Sequence, residues 1–291
     1  MTQLLQNSFT LEGVLFQGSF SRESILKTRN FHGNPTDIYL STYPRTGTTW
    51  TQNILIGLVF GLDKLRNSGP SDLGLLFPYL EFQAPSSRTF GYERVKLMTE
   101  SPRLFKHHLP THLAPQEIFS QKRKNIVVLR NPKDTAVSLD KFYRNNPIYQ
   151  KFCTSDNLDQ FLDHFLEGDV IYGSWWRWTR DWVDVCREYP ENNLLIHYED
   201  LRHQFNETID RINSFLGLPR LNATSMNDLQ LLTSVETMTE KYEEGSAKTG
   251  FMINKGQVGG WKDLFSKESE AKFDEATRKS FGDDFIIEKF I

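Results

Sequence analysis

The sequence predicts an α/β fold: a single domain on an open parallel sheet with helices on both faces, opened by a P-loop-like anion-binding loop. Three observations carry that reading. Residues Ile38 to Trp50 run Ile-Tyr-Leu-Ser-Thr-Tyr-Pro-Arg-Thr-Gly-Thr-Thr-Trp, an apolar strand that breaks at Pro44 and Gly47 into hydroxyls and a helix start. Ile126-Val-Val-Leu129 is short, branched and wholly apolar, the pattern of a strand covered on both faces. The remaining segments alternate strand-like and helix-like periods, as parallel sheets with crossover helices do.

Along the chain, the first twenty residues alternate polar and apolar types with no charged leader ahead of an apolar stretch, so no targeting segment is expected. The strand at Ile38 passes into a helix, because Trp50, Ile54, Leu55, Leu58 and Val59 recur at helical spacing up to about Gly61. Residues 64 to 103 read as irregular, with turn clusters at Asn67-Ser-Gly-Pro-Ser and Ala84-Pro-Ser-Ser. A second strand is expected over residues 103 to 109, stopped by Pro110, and a third over 125 to 129. Asn131-Pro132 opens a helix through about Phe142, with proline at an early position where its missing N–H costs nothing. A helix at 157 to 167 and a Trp-rich one at 172 to 188 lead to a fourth strand at 194 to 197. No repeat or linker divides the chain, so residues 1 to 291 are read as one domain.

At 38% apolar and 13% aromatic, the chain has material for a substantial core. A net charge of −3 with no basic run of five residues argues against a polyanion-binding surface, and no nucleic-acid partner is expected. The densest basic patch, Gln121-Lys-Arg-Lys124, reads as a solvated turn. Cys153 and Cys186 are too few for a disulfide framework or a thiolate metal site, which points to a reducing, cytoplasmic location. No apolar run approaches the ~18 residues of a membrane span.

Ligands of open α/β sheets collect beyond the carboxyl ends of the strands. Those positions here are Ser41 to Thr49, Lys106 to His108, Arg130-Asn-Pro132 and Tyr198-Glu-Asp200. A helix N-terminus with unpaired amides and the hydroxyls of Thr46, Thr48 and Thr49 is an anion cradle, and Arg45 stands inside it. The order differs from a Walker loop: Arg45 precedes Gly47, no earlier glycine opens the loop, and Arg130 ends the strand where a nucleoside triphosphatase places its metal-holding Asp. The anion is therefore expected to meet cations directly, without a metal. In an extended segment Lys106 and His108 share one side. An imidazole there accepts a proton from an attacking hydroxyl, and an ammonium beside it favours the neutral ring. The alternative for His108 is a packed, hydrogen-bonded structural role. A metal set of His107, His108 and His112 is disfavoured, because Pro110 breaks the helix that His108 and His112 would need to share. Ser138 alone reads equally as an ordinary helix serine, and Lys255-Gly-Gln-Val-Gly-Gly-Trp-Lys262 alone as a surface turn.

Assembled, these segments resemble the cytosolic sulfotransferases from about residue 10 to residue 290. Thr42-Tyr-Pro-Arg-Thr-Gly-Thr-Thr-Trp50 is similar to the family's 5′-phosphosulfate loop, Arg130-Asn-Pro-Lys-Asp-Thr-Ala-Val-Ser138 to its 3′-phosphate motif, and Lys255-Gly256-x-x-Gly259 with Trp261 to its C-terminal loop. The resemblance implies metal-free transfer of the sulfuryl group of 3′-phosphoadenylyl sulfate (PAPS) to a hydroxyl or amine of a small, apolar acceptor, leaving adenosine 3′,5′-bisphosphate (PAP). It implies His108 as the base, with Lys106 its companion, and a part for Arg45 and Ser138 in the chemistry. It implies that Arg45, Thr46, Gly47, Thr48, Thr49 and Trp50 hold the 5′ end and adenine, and that Arg130 and Ser138 hold the 3′-phosphate. Tyr198, Thr233, Ser234, Met238, Phe251, Asn254, Lys255 and Gly256 match further donor-binding positions. Tyr79, Phe82, Phe142 and Tyr149 fall where related enzymes line the acceptor pocket, beside Lys106 and His108.

The chain departs from the family at informative places. Arg45 stands where the family has Lys, Asn254 where it has Arg, and Gly260 where it has Asp before Trp261, so weaker donor affinity is expected. Its dimer motif is degraded: Lys262 remains, but Ser266, Lys267 and Ala271 fill the other positions, so a monomer or a different dimer is expected. Two rival readings are a non-catalytic protein of the same fold that binds the nucleotide and a hydrophobic ligand, and a nucleotide kinase with a variant loop. No membrane partner is expected.

Overall fold

The chain opens on an element its sequence does not announce. In the computed structural model, which describes residues 8–18, 20–82, 91–120, 123–150, 155–244 and 256–282, β1 (Ser8–Leu11) and β2 (Val14–Gln17) pair antiparallel around Glu12-Gly13. Both turn residues have positive φ, 47° and 80°, the left-handed geometry that glycine adopts without strain and that a two-residue hairpin turn requires.

The main sheet is the predicted one. β3 (Ile38–Thr42), β4 (Leu104–His107), β5 (Lys124–Leu129) and β6 (Asn193–His197) lie parallel in the order β4-β3-β5-β6. Alternate residues feed opposite layers, as the period-two geometry of a strand requires. Tyr39, Phe105, Val127 and Leu129 face a core with Phe161, Phe165, Trp175, Trp178, Trp182 and Phe273, from the helices Leu158–Glu167, Trp175–Glu188 and Lys267–Phe281. Ile38, Leu40, Leu104, Ile126 and Val128 face the other core, built from Ile54, Leu55, Ile209, Ile212 and Leu229 of the helices Thr48–Phe60, Phe205–Leu216 and Ala223–Leu232. A buried polar row crosses the sheet: His107 Nε2 and Ser41 Oγ are 2.8 Å apart, Ser41 Oγ donates to Asn125 Oδ1 at 2.8 Å, and Asn125 Nδ2 donates to Asn193 Oδ1 at 2.9 Å. A one-residue slip of any strand would strand these groups in the core, so the row fixes the register of the site-bearing strand ends.

Four expectations need correction. β4 stops at His107 rather than Leu109, because the His108 amide turns out of the ladder and donates to the Glu81 carboxylate at 2.7 Å. The Trp-rich helix begins at Trp175, since Tyr172 and Gly173 have φ of 66° and 74° and Ser174 caps the helix by accepting the Arg177 amide. The stretch from 64 to 103 is not irregular but carries the helices Leu62–Asn67, Pro70–Leu76 and Gly91–Lys96, too short for periodicity to reveal. Arg123 belongs to no solvated turn; it is buried, donating to the Gly33 carbonyl and to Glu117, while Gln121, Lys122 and the cluster at 84 to 87 lie outside the described residues. The helix opened by Asn131 is Pro132–Asn145, with Asn131 Oδ1 accepting the Lys133 and Asp134 amides.

Candidate active site

The four strand-end segments converge on one cavity of about 370 Å3. Arg45, Gly47, Thr48, Thr49 and Trp50 line it from the loop after β3, Lys106 and His108 from β4, Arg130 and Ser138 from β5 and its helix, and Tyr198 from the end of β6. Thr233, Met238 and Gly256 join this side, and Tyr79, Phe82, Phe142 and Tyr149 wall the other. Thr46 and Ser234 are placed differently. The Thr46 amide and hydroxyl both donate to the Tyr43 carbonyl, at 3.3 and 2.8 Å, so this residue ties the loop, and Ser234 Oγ accepts the Thr237 amide at a helix start. Phe251, Asn254 and Lys255 lie outside the described residues.

The anion side is backbone-built. Gly47 sits at φ 103° as N-cap of Thr48–Phe60, and no side chain caps that helix, so its first amides are left to a ligand. A Cβ on Gly47 would lie 2.7 Å from Tyr198 Cδ2, and one on Gly256 would lie 2.5 Å from Val235 Cγ2; at φ 103° and 63° a side chain at either position would be strained as well as crowded. Arg130 donates to the carbonyls of Arg45 (3.1 Å) and Gln257 (3.0 Å), joining the first loop to the C-terminal one, while its guanidinium covers the Tyr198 ring at 4.3 Å. Asp134 holds the same C-terminal loop by accepting the amides of Gly259 (2.7 Å) and Trp261 (3.1 Å). Arg45, itself at φ 72°, donates from Nε to Ser138 Oγ at 3.2 Å and lies 5.1 Å over the Phe142 ring. Burial and the neighbouring Arg130 charge lower its pKa to about 10, so it remains cationic at neutral pH.

The other side of the cavity is built around His108. Its Nδ1 lies 2.7 Å from the Thr42 carbonyl oxygen and 2.9 Å from Thr42 Oγ1, which in turn meets Thr48 Oγ1 at 2.8 Å. A carbonyl only accepts, so Nδ1 carries the hydrogen and Nε2 is the basic nitrogen. Burial, reinforced by the Lys106 charge, holds the ring well below the ordinary imidazole pKa. Lys106 is brought down to about 8, chiefly by burial against the opposing pull of Glu81, and its ammonium covers the Tyr79 ring at 4.7 Å. Two residues here escaped the sequence reading. Glu81, fully buried, is pushed up to about 8 by desolvation, and Tyr172 flanks the His108 ring at 5.4 Å. Tyr172 donates to Glu81 Oε1 at 3.2 Å, and its hydroxyl also meets that of Tyr79.

A sulfotransferase domain profile matches residues 35–285, most of the chain. The chain belongs to the sulfotransferase family. It is 32% identical over 271 residues to sulfotransferase 1A1 of Rattus norvegicus, covering 90% of each chain. To cytosolic sulfotransferase 1 of Danio rerio it is 31% identical over 283 residues, 93% of this chain and 91% of that one. The crystal structure of mouse sulfotransferase SULT7A1 complexed with PAP superposes with a TM-score of 0.76 at 26% identity, over 96% of this chain and 95% of that one. Retinol dehydratase, crystallised with androsterone and PAP, shares the fold with a TM-score of 0.80 at 19% identity, over 95% and 89%. This sulfotransferase is thus a PAPS-dependent enzyme of sulfuryl transfer on the α/β scaffold that its sequence predicts. No helix among its described residues is long and apolar enough to cross a membrane.

Proposed function

We propose that this sulfotransferase moves the sulfuryl group of PAPS to the hydroxyl of a small, largely apolar acceptor, with His108 as general base. One observation carries the reading: the Nδ1–H bond to the Thr42 carbonyl leaves Nε2 as a free base on a ring that lines the cavity, opposite the anion-binding loop. The donor's residues fit it. Arg130 Nε and Trp50 Nε1 are buried donors with no partner among the described residues, and Gly47 and Gly256 leave space that a Cβ would fill. Arg130 and Ser138 suit the 3′-phosphate; Arg45 and the amides after Gly47 suit the 5′ end; Trp50, Tyr198, Thr233 and Met238 suit the base.

When bound, PAPS supplies an electrophilic sulfur and a phosphate leaving group. His108 Nε2 takes the acceptor proton as the acceptor oxygen bonds to sulfur and the sulfur–oxygen bond to phosphate breaks. Lys106 and Arg45, both cationic at neutral pH, face the charge that develops. Tyr79, Phe82, Phe142 and Tyr149 enclose the acceptor's rings and exclude water. General-base help is worth roughly 10²- to 10⁴-fold. His108→Ala is therefore expected to lose turnover on that scale while binding PAP with unchanged affinity by calorimetry; parallel loss of both would overturn the assignment.

A further inference from the structure

On its outer edge β4 pairs briefly with a segment that arrives from a separate part of the chain. The Lys106 amide donates to the Pro78 carbonyl at 3.0 Å and the Leu80 amide to the Lys106 carbonyl at 2.9 Å, a parallel bridge between Tyr79 and Lys106. Evenly spaced parallel pairing would next join the His108 amide to the Leu80 carbonyl. That carbonyl is taken instead by the Tyr92 amide at 3.1 Å. The Glu81 side chain fills the gap: its Oε1 accepts the His108 amide at 2.7 Å, so a carboxyl oxygen stands where a main-chain oxygen would.

A main-chain rung would keep His108 in the pleat of β4, whereas a carboxyl on a flexible stem lets the chain turn while its buried amide stays paired. The other ties of His108 hold it in that turned position. Its carbonyl accepts the Trp178 indole N–H at 3.0 Å, and its Nδ1 lies 2.7 Å from the Thr42 carbonyl oxygen. Glu81 is itself fixed: it is fully buried, its main-chain carbonyl accepts Ser24 Oγ at 2.9 Å, and Oε1 also accepts the Tyr172 hydroxyl at 3.2 Å. Burial, against the pull of the Lys106 ammonium, pushes the carboxyl up to about 8, so near neutral pH it carries a proton much of the time. Its bond to His108 is the same in either form, because Oε1 accepts and the proton belongs on Oε2, which has no partner among the described residues.

We propose that Glu81 is the positioning residue of the base: its carboxyl oxygen, in place of a strand rung, sets where the His108 ring stands. The inference rests on the reading of His108 as general base. Glu81 is not among the residues that line the cavity, so it acts only through His108. Reach and an accepting oxygen are what the position requires, and charge is not. Aspartate keeps the charge on a stem shorter by about 1.5 Å, and glutamine keeps the stem and the oxygen without the charge.

The test measures phenol turnover and calorimetric PAP binding for the full-length parent, Glu81→Asp and Glu81→Gln, with the His108 tautomer read from its imidazole nitrogen shifts by NMR. Glu81→Asp is expected to lose about 10- to 100-fold in kcat, the scale of an ångström-sized misplacement of a reacting group, and its His108 to divide between the two tautomers. Glu81→Gln should restore kcat to within about threefold of the parent and keep the Nδ1–H form. PAP affinity should be unchanged in both. A merely structural role would lower affinity and rate together and would not separate the two variants. Loss in Glu81→Gln as deep as in Glu81→Asp, parental turnover in Glu81→Asp, or a parallel fall in PAP affinity overturns the inference and leaves the base itself standing. The tautomer needs no acceptor, so it decides the case if phenol is a poor substrate: a parental tautomer in Glu81→Asp, or a mixture in Glu81→Gln, overturns the inference. If Glu81→Asp fails to fold, Glu81→Gln decides alone, its activity and Nδ1–H form supporting the role and their loss refuting it. Parental turnover in His108→Ala removes the reading on which the role rests.

Discussion

The two halves of the cavity are made in opposite ways. The half proposed to hold the donor is a backbone structure: Gly47 at φ 103°, Arg45 at φ 72°, a helix start without a side-chain cap, and Arg130 bonded to two main-chain carbonyls. The half proposed to take the acceptor is a side-chain structure, with rings from Phe20, Tyr79, Phe82, Phe142, Tyr149 and Tyr172 gathered from separate segments around His108. Backbone geometry binds a fixed anion and tolerates no added atom, whereas a packed aromatic wall can be repacked at modest cost. On the proposed function, donor recognition is therefore expected to be the rigid half of the enzyme and acceptor choice the adaptable one.

Substitutions sharpen or break this contrast. The largest effect is expected at Gly47, where a methyl group would be forced against Tyr198 in a left-handed backbone. Gly47→Ala should weaken PAP binding by roughly 10- to 100-fold, the worth of about 1–3 kcal/mol of strain, as read by calorimetry. Unaltered affinity would mean the loop is softer than its dihedrals indicate. Next comes pH. His108 lies well below the ordinary imidazole range and Lys106 is lowered to about 8, so kcat/KM should be level from about pH 6 to 7, halve near pH 8 and then fall by up to tenfold per unit as the Lys106 ammonium loses its proton. In Lys106→Arg the alkaline limb should move upward; a limb that stays fixed belongs to another group. On the adaptable side, Phe82→Leu should raise the acceptor KM by about threefold with no change in PAP affinity, since threefold is about the worth of one lost methylene of apolar contact. Equal losses on both sides would erase the contrast. The smallest change is expected at the seam, where Arg45 bonds Ser138 of the donor half and covers Phe142 of the acceptor half. Arg45→Lys replaces a planar fork by a mobile point charge and should raise kcat by about twofold. A rate no higher than the parent's would show that the guanidinium is fully compensated.

The same contrast governs what could be read from sequence. The donor half was legible because its parts are contiguous: a strand, a loop and a helix start in Ile38 to Trp50, and Arg130 followed by a proline-initiated helix bearing Ser138. Lys106 and His108 were legible together because alternation in an extended segment points them the same way. Glu81 and Tyr172 were not. A glutamate in a turn reads as solvated, and only the tertiary fold reveals that its carboxylate takes the His108 amide and ends β4. Nor does a tyrosine before Gly-Ser-Trp disclose a positive φ, because the strain is imposed by the hairpin across from it. That hairpin was missed for want of length: four-residue strands give alternation too little room, although the Glu12-Gly13 turn was a usable signal. Nor does the sequence show that the Thr46 hydroxyl bonds the carbonyl of Tyr43.

Arg130 bridges residues 85 positions before it and 127 after it. During synthesis the ribosome delivers Arg45 and Arg130 well ahead of Gln257, and a chain of this size folds by stages. All four strands of the sheet and His108 have thus been synthesised before the second carbonyl of that bridge. With the donor site as proposed, PAP-dependent protection from proteolysis is expected to mark a late step of folding rather than its beginning.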